Sequence, residues 1–276
     1  MWQLSCLDQL GDVSFVGYET DRISQLHLEY EFVRRQRLVI CCGAGVDSTT
    51  AVYYALKARS FMPEDVTVLH INYGAPYYEK ELAAYKAQTK RFDSIGVAHS
   101  QASVLDFGRR LPHLDARCFP KGYIIPCRNG LLAAIGSLFG DEVWVVANYR
   151  QNDGDVGAAI DKNRRFYGEI TEILSRAHKR PITVASPFLH LSKGATIAWL
   201  ISEYGQTEAA EILKGTVSCY SALGGRCGDC YACYKAYKAF DKYGLTTLLK
   251  EFESNPLMSA RVSEWGGREK AKGRDE

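Results

Sequence analysis

The chain has 276 residues, 46% hydrophobic and 24% charged, with a formal net charge of +2. That is apolar material for one large domain, or one domain with a small appendage. The near-neutral balance provides no broad electrostatic footprint for nucleic acid. No apolar run approaches the ~20 residues of a membrane span, so the expectation is a protein without membrane contact in a reducing cytoplasm.

Residues 1–37 mix short β-prone pieces such as Val13–Val16 with a basic end, Arg34–Arg37, and read as an N-terminal extension. Leu38–Cys42 is a continuous apolar run, the pattern of a strand buried on both faces. Glycines follow, then a helix from near Ser48 through Ala51, Val52, Ala55 and Leu56. Val66–Ile71 is the next buried strand. Tyr77–Ile95 is an amphipathic helix stopped by Gly96. Cys127–Phe139 reads as a helix and Val143–Ala147 as another buried strand. Ile160–His178 is helical, with Gly168 weakening its early part. Ile182–Ala185 is a short strand, and Ser192 caps a helix that ends at Gly205. Strands alternating with helices predict an α/β fold, a Rossmann-like parallel sheet with helices on both faces, spanning 38–206. A small C-terminal helical, cysteine-rich element is expected over 207–254, and 255–276, polar and charged, is expected to fray.

The turn after the first strand carries the first chemical signal. A buried strand, Gly43-Ala44-Gly45-Val46, then a helix opening at Asp47-Ser48-Thr49-Thr50 suits a phosphate. Backbone N–H groups can turn toward the anion and the helix N-terminus adds partial positive charge. Asp47 is a natural N-cap and could also hold a magnesium ion, while Ser48, Thr49 and Thr50 offer hydroxyl donors. The Lys-Ser/Thr of a Walker loop and the third glycine of a dinucleotide fingerprint are both missing. Turn glycines alone would account for such a segment equally well.

The second signal is Cys219, Cys227, Cys230 and Cys233. Four soft thiolates at this spacing suit a tetrahedral structural zinc. An iron–sulfur cluster is the main rival, and free or redox thiols remain open. Cys6, Cys41, Cys42, Cys118 and Cys127 are scattered and read as small buried hydrophobes.

Gly43–Thr50 resembles the pyrophosphatase loop, Ser-Gly-Gly-x-Asp-Ser, of enzymes that split ATP to AMP and pyrophosphate. Gly43 stands in place of its Ser and Ala44 in place of its second-position Gly. Further matches follow in order: Asn72-Tyr73-Gly74, Pro126-Cys127-Arg128-Asn129, Ser186-Pro187-Phe188 with Ser192-Lys193, and Ser218-Cys219-Tyr220 leading to the three close cysteines. Together, over about 38–245, they resemble the 7-cyano-7-deazaguanine synthase (QueC) family of queuosine biosynthesis. The resemblance implies an ATP-dependent ligase that adenylates 7-carboxy-7-deazaguanine, forms the amide with ammonia, and dehydrates it to the nitrile. It implies ATP contacts along Gly43, Ala44, Gly45, Val46, Asp47, Ser48, Thr49 and Thr50 and at Asn72, with Mg2+. It assigns catalytic roles to Asp47, Ser48, Lys193 and Arg128, and Zn2+ to the four cysteines. His70, at a strand end, would touch adenine or simply be buried, and the buried reading is favoured.

The departures fall in the middle of the chain. Ala75-Pro76-Tyr77-Tyr78 replaces a Gln-Arg-His-like run, and Ala159–Asn163 with Phe166 replaces a Tyr-Pro-Asp-Cys-Arg segment, of which Asp153 and Asp161 survive. Those segments plausibly border the acceptor, so the amine could instead belong to a protein. A tRNA thiolase and an RNA-binding zinc ribbon are the more distant alternatives. A homodimer is allowed and nothing in the sequence demands it.

Overall fold

The computed structural model describes residues 36–75, 77–104, 127–148, 160–219, 226–228 and 230–253. Its centre is a sheet of five strands: β1 (Leu38–Cys41), β2 (Val66–Asn72), β3 (Ala98–Ser103), β4 (Glu142–Val145) and β5 (Thr183–Ala185). All neighbours are parallel and the order is β3-β2-β1-β4-β5. Leu38 lies beside Val66 on one side and Glu142 on the other. The helices are α1 (Val46–Lys57), α2 (Tyr78–Ser94), α3 (Arg128–Gly136), α4 (Arg164–His178), α5 (Lys193–Leu213), α6 (Tyr231–Lys242) and α7 (Thr246–Glu253).

Strand alternation divides the core into two. Leu38, Ile40, Val66, Val68 and Trp144 join a cluster built with α1, α2, α5, α6 and α7. Val39, Cys41, Leu69, Ile71, Val143 and Val145 point the other way, toward α3 and α4. Helices therefore cover both faces, as the unbroken apolar runs of β1 and β4 require. The chain is a Rossmann-like α/β fold with a cysteine-bearing C-terminal helical element.

Three expectations are refined. The edge strand β3 reads Ala-His-Ser-Gln-Ala-Ser and lacks an apolar run, so periodicity does not reveal it. It is held by its ladder to β2 and by Tyr85, whose hydroxyl lies 3.1 Å from Val68 O and 2.9 Å from Ser100 O. The helix expected over Ile160–His178 starts with a separate 3-10 turn, Ile160–Lys162. Asn163 then caps α4, its side chain accepting from Phe166 N at 2.8 Å. Helix α5 breaks at Gly205 (φ 77) as expected, but a second helical segment continues to Leu213. The readings made for Val13–Val16, for Asp153 and Ala159, and for 255–276 lie outside the described residues.

Candidate functional site

The strand order changes direction between β1 and β4, and in such sheets ligands bind beyond the carboxyl ends of the strands at that point. The turn Cys42–Gly45 leaves β1 there and α1 begins at Val46. Ala44 has φ 52, a left-handed conformation in which a β-carbon costs on the order of 1 kcal/mol. The turn is held from outside. Val217 N donates to Ala44 O at 2.9 Å, and Val46 N to Ser218 Oγ at 3.3 Å. A β-carbon on Gly45 would lie 3.2 Å from that same Ser218 Oγ, a tight contact that the hydroxyl would have to yield to by a few tenths of an ångström.

Asp47 is not the N-cap expected of it. Gly45 occupies that position, without a side-chain cap bond, and Asp47 Oδ2 instead accepts from Lys193 Nζ at 2.5 Å. Asp47 Oδ1 is buried with no hydrogen-bond partner among the described residues. Lys193 is delivered by the first turn of α5, whose N-cap Ser192 Oγ accepts from Ala195 N at 3.1 Å. Ser48 Oγ donates to Gly45 O at 3.2 Å and receives the Cys42 thiol at 3.4 Å. Thr49 and Thr50 are fully buried, and Thr50 Oγ1 donates to Val46 O at 2.8 Å.

The end of β2 closes the next side. Asn72 Oδ1 accepts from Gly74 N at 2.9 Å and shapes the turn into α2. The Tyr73 and Tyr77 hydroxyls lie 2.9 Å apart, both rings buried. His70 is 1% exposed. Its Nδ1 lies 2.9 Å from Cys42 O, and its ring stacks on Tyr85 at 4.7 Å between centroids. Because a carbonyl can only accept, Nδ1 carries the proton, and burial holds the ring below its ordinary pKa. His70 therefore braces the start of the loop.

Glu81, in the first turn of α2, was not singled out in the sequence. A β-carbon on Gly43 would stand 3.1 Å from Glu81 Oε1 and 3.6 Å from Oε2, so the carboxyl rests on the loop backbone itself. Burial pushes its pKa up to about 7, against the opposing pull of Arg128. Arg128, the first residue of α3, thus faces the same space. Its helix start is fastened by Asp161, whose Oδ2 accepts from Asn129 N at 3.2 Å and whose carbonyl accepts from Asn129 Nδ2 at 2.9 Å. The structure gathers Gly43–Ser48, Lys193, Glu81 and Arg128 around the carboxyl ends of β1 and β2, and leaves Thr49 and Thr50 inside the core.

The sulfurs of Cys219, Cys227, Cys230 and Cys233 lie within 4.8 Å of one another. Tetrahedral zinc with bonds of about 2.3 Å needs sulfurs about 3.8 Å apart, and the Cys227 and Cys233 sulfurs are already 4.0 Å apart. Cys230 is the N-cap of α6 and Cys233 sits in its first turn, where a helix N-terminus favours thiolates. The Cys227 amide donates to Cys219 Sγ at 3.4 Å, and Lys80 Nζ donates to the same sulfur at 3.4 Å. Hydrogen bonds from Cys227, Cys230 and Cys233 hold the Cys219 thiol low, and bonding to Cys219 first, then Cys227, pushes Cys230 and Cys233 up. Four sulfurs this close could hold a metal ion, and the donor set is compatible with zinc.

No helix among the described residues is long and apolar enough to cross a membrane. Residues 37–244 match the family model described as queuosine biosynthesis protein QueC. A 7-cyano-7-deazaguanine synthase of Acinetobacter baylyi is 28% identical over 215 residues, covering 72% of this chain and 87% of its own.

Proposed function

The chain belongs to the QueC family, and we propose that it binds ATP in the turn after β1 and adenylates the carboxylate of 7-carboxy-7-deazaguanine. Amide formation with ammonia and dehydration to the nitrile follow. The observation that carries this reading is the Asp47–Lys193 pair, 2.5 Å apart, set at the N-terminus of α1 beside the left-handed Ala44. A cation, a carboxylate with one unpartnered oxygen, and a helix N-terminus are what a polyphosphate with magnesium needs.

A carboxylate is a poor electrophile. Attack of a carboxylate oxygen on the α-phosphorus of ATP breaks the bond to pyrophosphate and leaves a mixed acyl–phosphate anhydride, a carbonyl with AMP as leaving group. Attack by the amine forms the C–N bond and breaks the C–O bond to AMP. A second ATP adenylates the amide oxygen and releases pyrophosphate; breaking the C–O bond to AMP and losing both N–H protons then yields the nitrile. Lys193 and the amides of α1 would stabilise charge on the transferring phosphoryl group. Arg128, planar and always charged, suits the acceptor carboxylate or a phosphate. Asp47 Oδ1 would hold magnesium, which when bound neutralises part of the phosphate charge. The cysteines would hold a structural zinc with no open position.

A second reading keeps the adenylation and changes the amine. Where the family resemblance leads one to expect a polar Gln-Arg-His-like run, the sequence has Ala75–Tyr78, and the Tyr77 hydroxyl lies 2.9 Å from that of Tyr73. A protein amine in place of ammonia is the alternative that this departure leaves to the test. Purified protein is incubated with ATP, magnesium, ammonium and 7-carboxy-7-deazaguanine. AMP with amide and nitrile is expected. AMP without either product, together with a deazaguanine mass on a co-expressed protein, would favour the second reading. Absence of AMP in both arrangements would overturn the adenylation.

A further inference from the structure

Position 43 lacks a side chain where the resembling loops carry serine, and the space is not empty. Glu81 reaches it from α2, with Oε1 3.1 Å and the carboxyl carbon 3.4 Å from where a β-carbon on Gly43 would be. A serine here would press its hydroxymethyl group into that carboxyl. A carboxyl group thus stands against the first position of the turn. We propose that Glu81 is a nucleotide-contacting residue of this site, one that meets the polyphosphate as a neutral acid, so that ATP binding takes up a proton. The proposal rests on the reading of the turn after β1 as the ATP site.

An ionised carboxylate beside a polyphosphate is a like-charge pair in a partly desolvated cleft, and repulsion raises the pKa of the weaker acid. Phosphates bound with magnesium are the stronger acids, so the proton goes to the carboxyl. Once protonated, Glu81 has an O–H to donate to a phosphate oxygen. The groups facing Glu81 act in different ways: Arg128 on α3 pulls its pKa down, against the larger effect of burial, and the Cys42 thiol at the end of β1 interacts with it. A polyphosphate that engages Arg128 would remove much of that opposing pull. Lys80, the neighbour of Glu81 on α2, is turned away to Cys219. In the free protein its carboxyl is already pushed up to about 7, so a modest further rise completes protonation at neutral pH.

Full-length protein is titrated by calorimetry with magnesium and α,β-methylene-ATP, which cannot release pyrophosphate. Titrations run between about pH 7 and about pH 9, in two buffers of different ionisation enthalpy. Wild type is expected to take up about one proton per nucleotide near pH 8, with affinity falling up to about tenfold per pH unit. Glu81→Gln, which keeps the shape and a donor, is expected to take up none and to bind with pH-independent affinity. Wild type that binds without proton uptake overturns the proposal, with no variant needed. A Glu81→Gln variant with undiminished uptake overturns it equally. No nucleotide binding by wild type at any pH would instead remove the ATP reading of the loop, and the role of Glu81 with it.

Discussion

Asp47 and Lys193 are 146 residues apart and their charged atoms meet at 2.5 Å. Nothing local in either segment announces the pair. Lysine just inside a helix start reads as a solvated side chain, and aspartate before a helix reads as a cap. Replacing Lys193 by Met should lower pyrophosphate release by about 100-fold, the scale of removing one charge-stabilising donor. The melting temperature should fall too, because both side chains are less than a quarter exposed and Asp47 loses its cation, so turnover is compared per folded molecule. Glu81 was equally hidden, as an acidic residue on an amphipathic helix usually marks the wet face. It matters only because the loop lacks a side chain at Gly43. Its native carboxyl is raised from the ordinary 4.5 to about 7 by burial. The folded state therefore binds the proton more tightly than the unfolded chain. That contribution is full below about pH 4.5 and is lost as pH rises through about 7, costing up to about 3 kcal/mol before solvent screening is counted. Urea unfolding should show Glu81→Gln gaining on wild type between about pH 5 and about pH 8.

At the scale of elements, α3 shows how closely helix and sheet approach beneath the site. A β-carbon on Gly136 would lie 2.5 Å from Val143 Cγ1 and 3.2 Å from Cys41 Sγ. Gly136→Ala should destabilise the fold by about 1–3 kcal/mol, an overpacking cost measurable by thermal denaturation. Since α3 carries Arg128, activity should fall as well. The segment after α5 is a second case. Val217 and Ser218 hydrogen-bond the turn after β1, and the next residue, Cys219, belongs to the sulfur cluster. Helix α2 touches both regions through neighbouring residues, Lys80 at Cys219 and Glu81 at Gly43. The elements most legible in sequence were those buried on both faces, β1 and β4, because their apolar runs are unbroken. The least legible was β3, which is held by its backbone ladder to β2 and by the Tyr85 hydroxyl and not by an apolar run.

For the whole molecule, the cysteine cluster and the glycine turn are not independent. Removing metal with a chelator, or substituting Cys230→Ala, should lower stability by several kcal/mol, with the order of 10 kcal/mol seen in small zinc peptides as an upper bound. Nucleotide-analogue affinity should fall in parallel, because 217–219 ties the turn to the cluster. Metal content measured beside the dissociation constant checks this; full affinity in metal-free protein would separate the two sites.

The sequence by itself determined the class of fold, the order of most elements, the turn after β1 and the four thiols. Each is encoded in local spacing: apolar runs, helical periodicity, glycines and cysteines at short separations. Only the tertiary structure decided the strand order β3-β2-β1-β4-β5, and with it which loop ends share one edge. It alone joined Lys193 to Asp47, laid Glu81 on Gly43 and set Ser218 against Gly45. The physical reason is that local pattern specifies which face of an element is buried, whereas packing across the sheet specifies what that face meets. The altered first position of the loop acquires its meaning only from the helix folded over it.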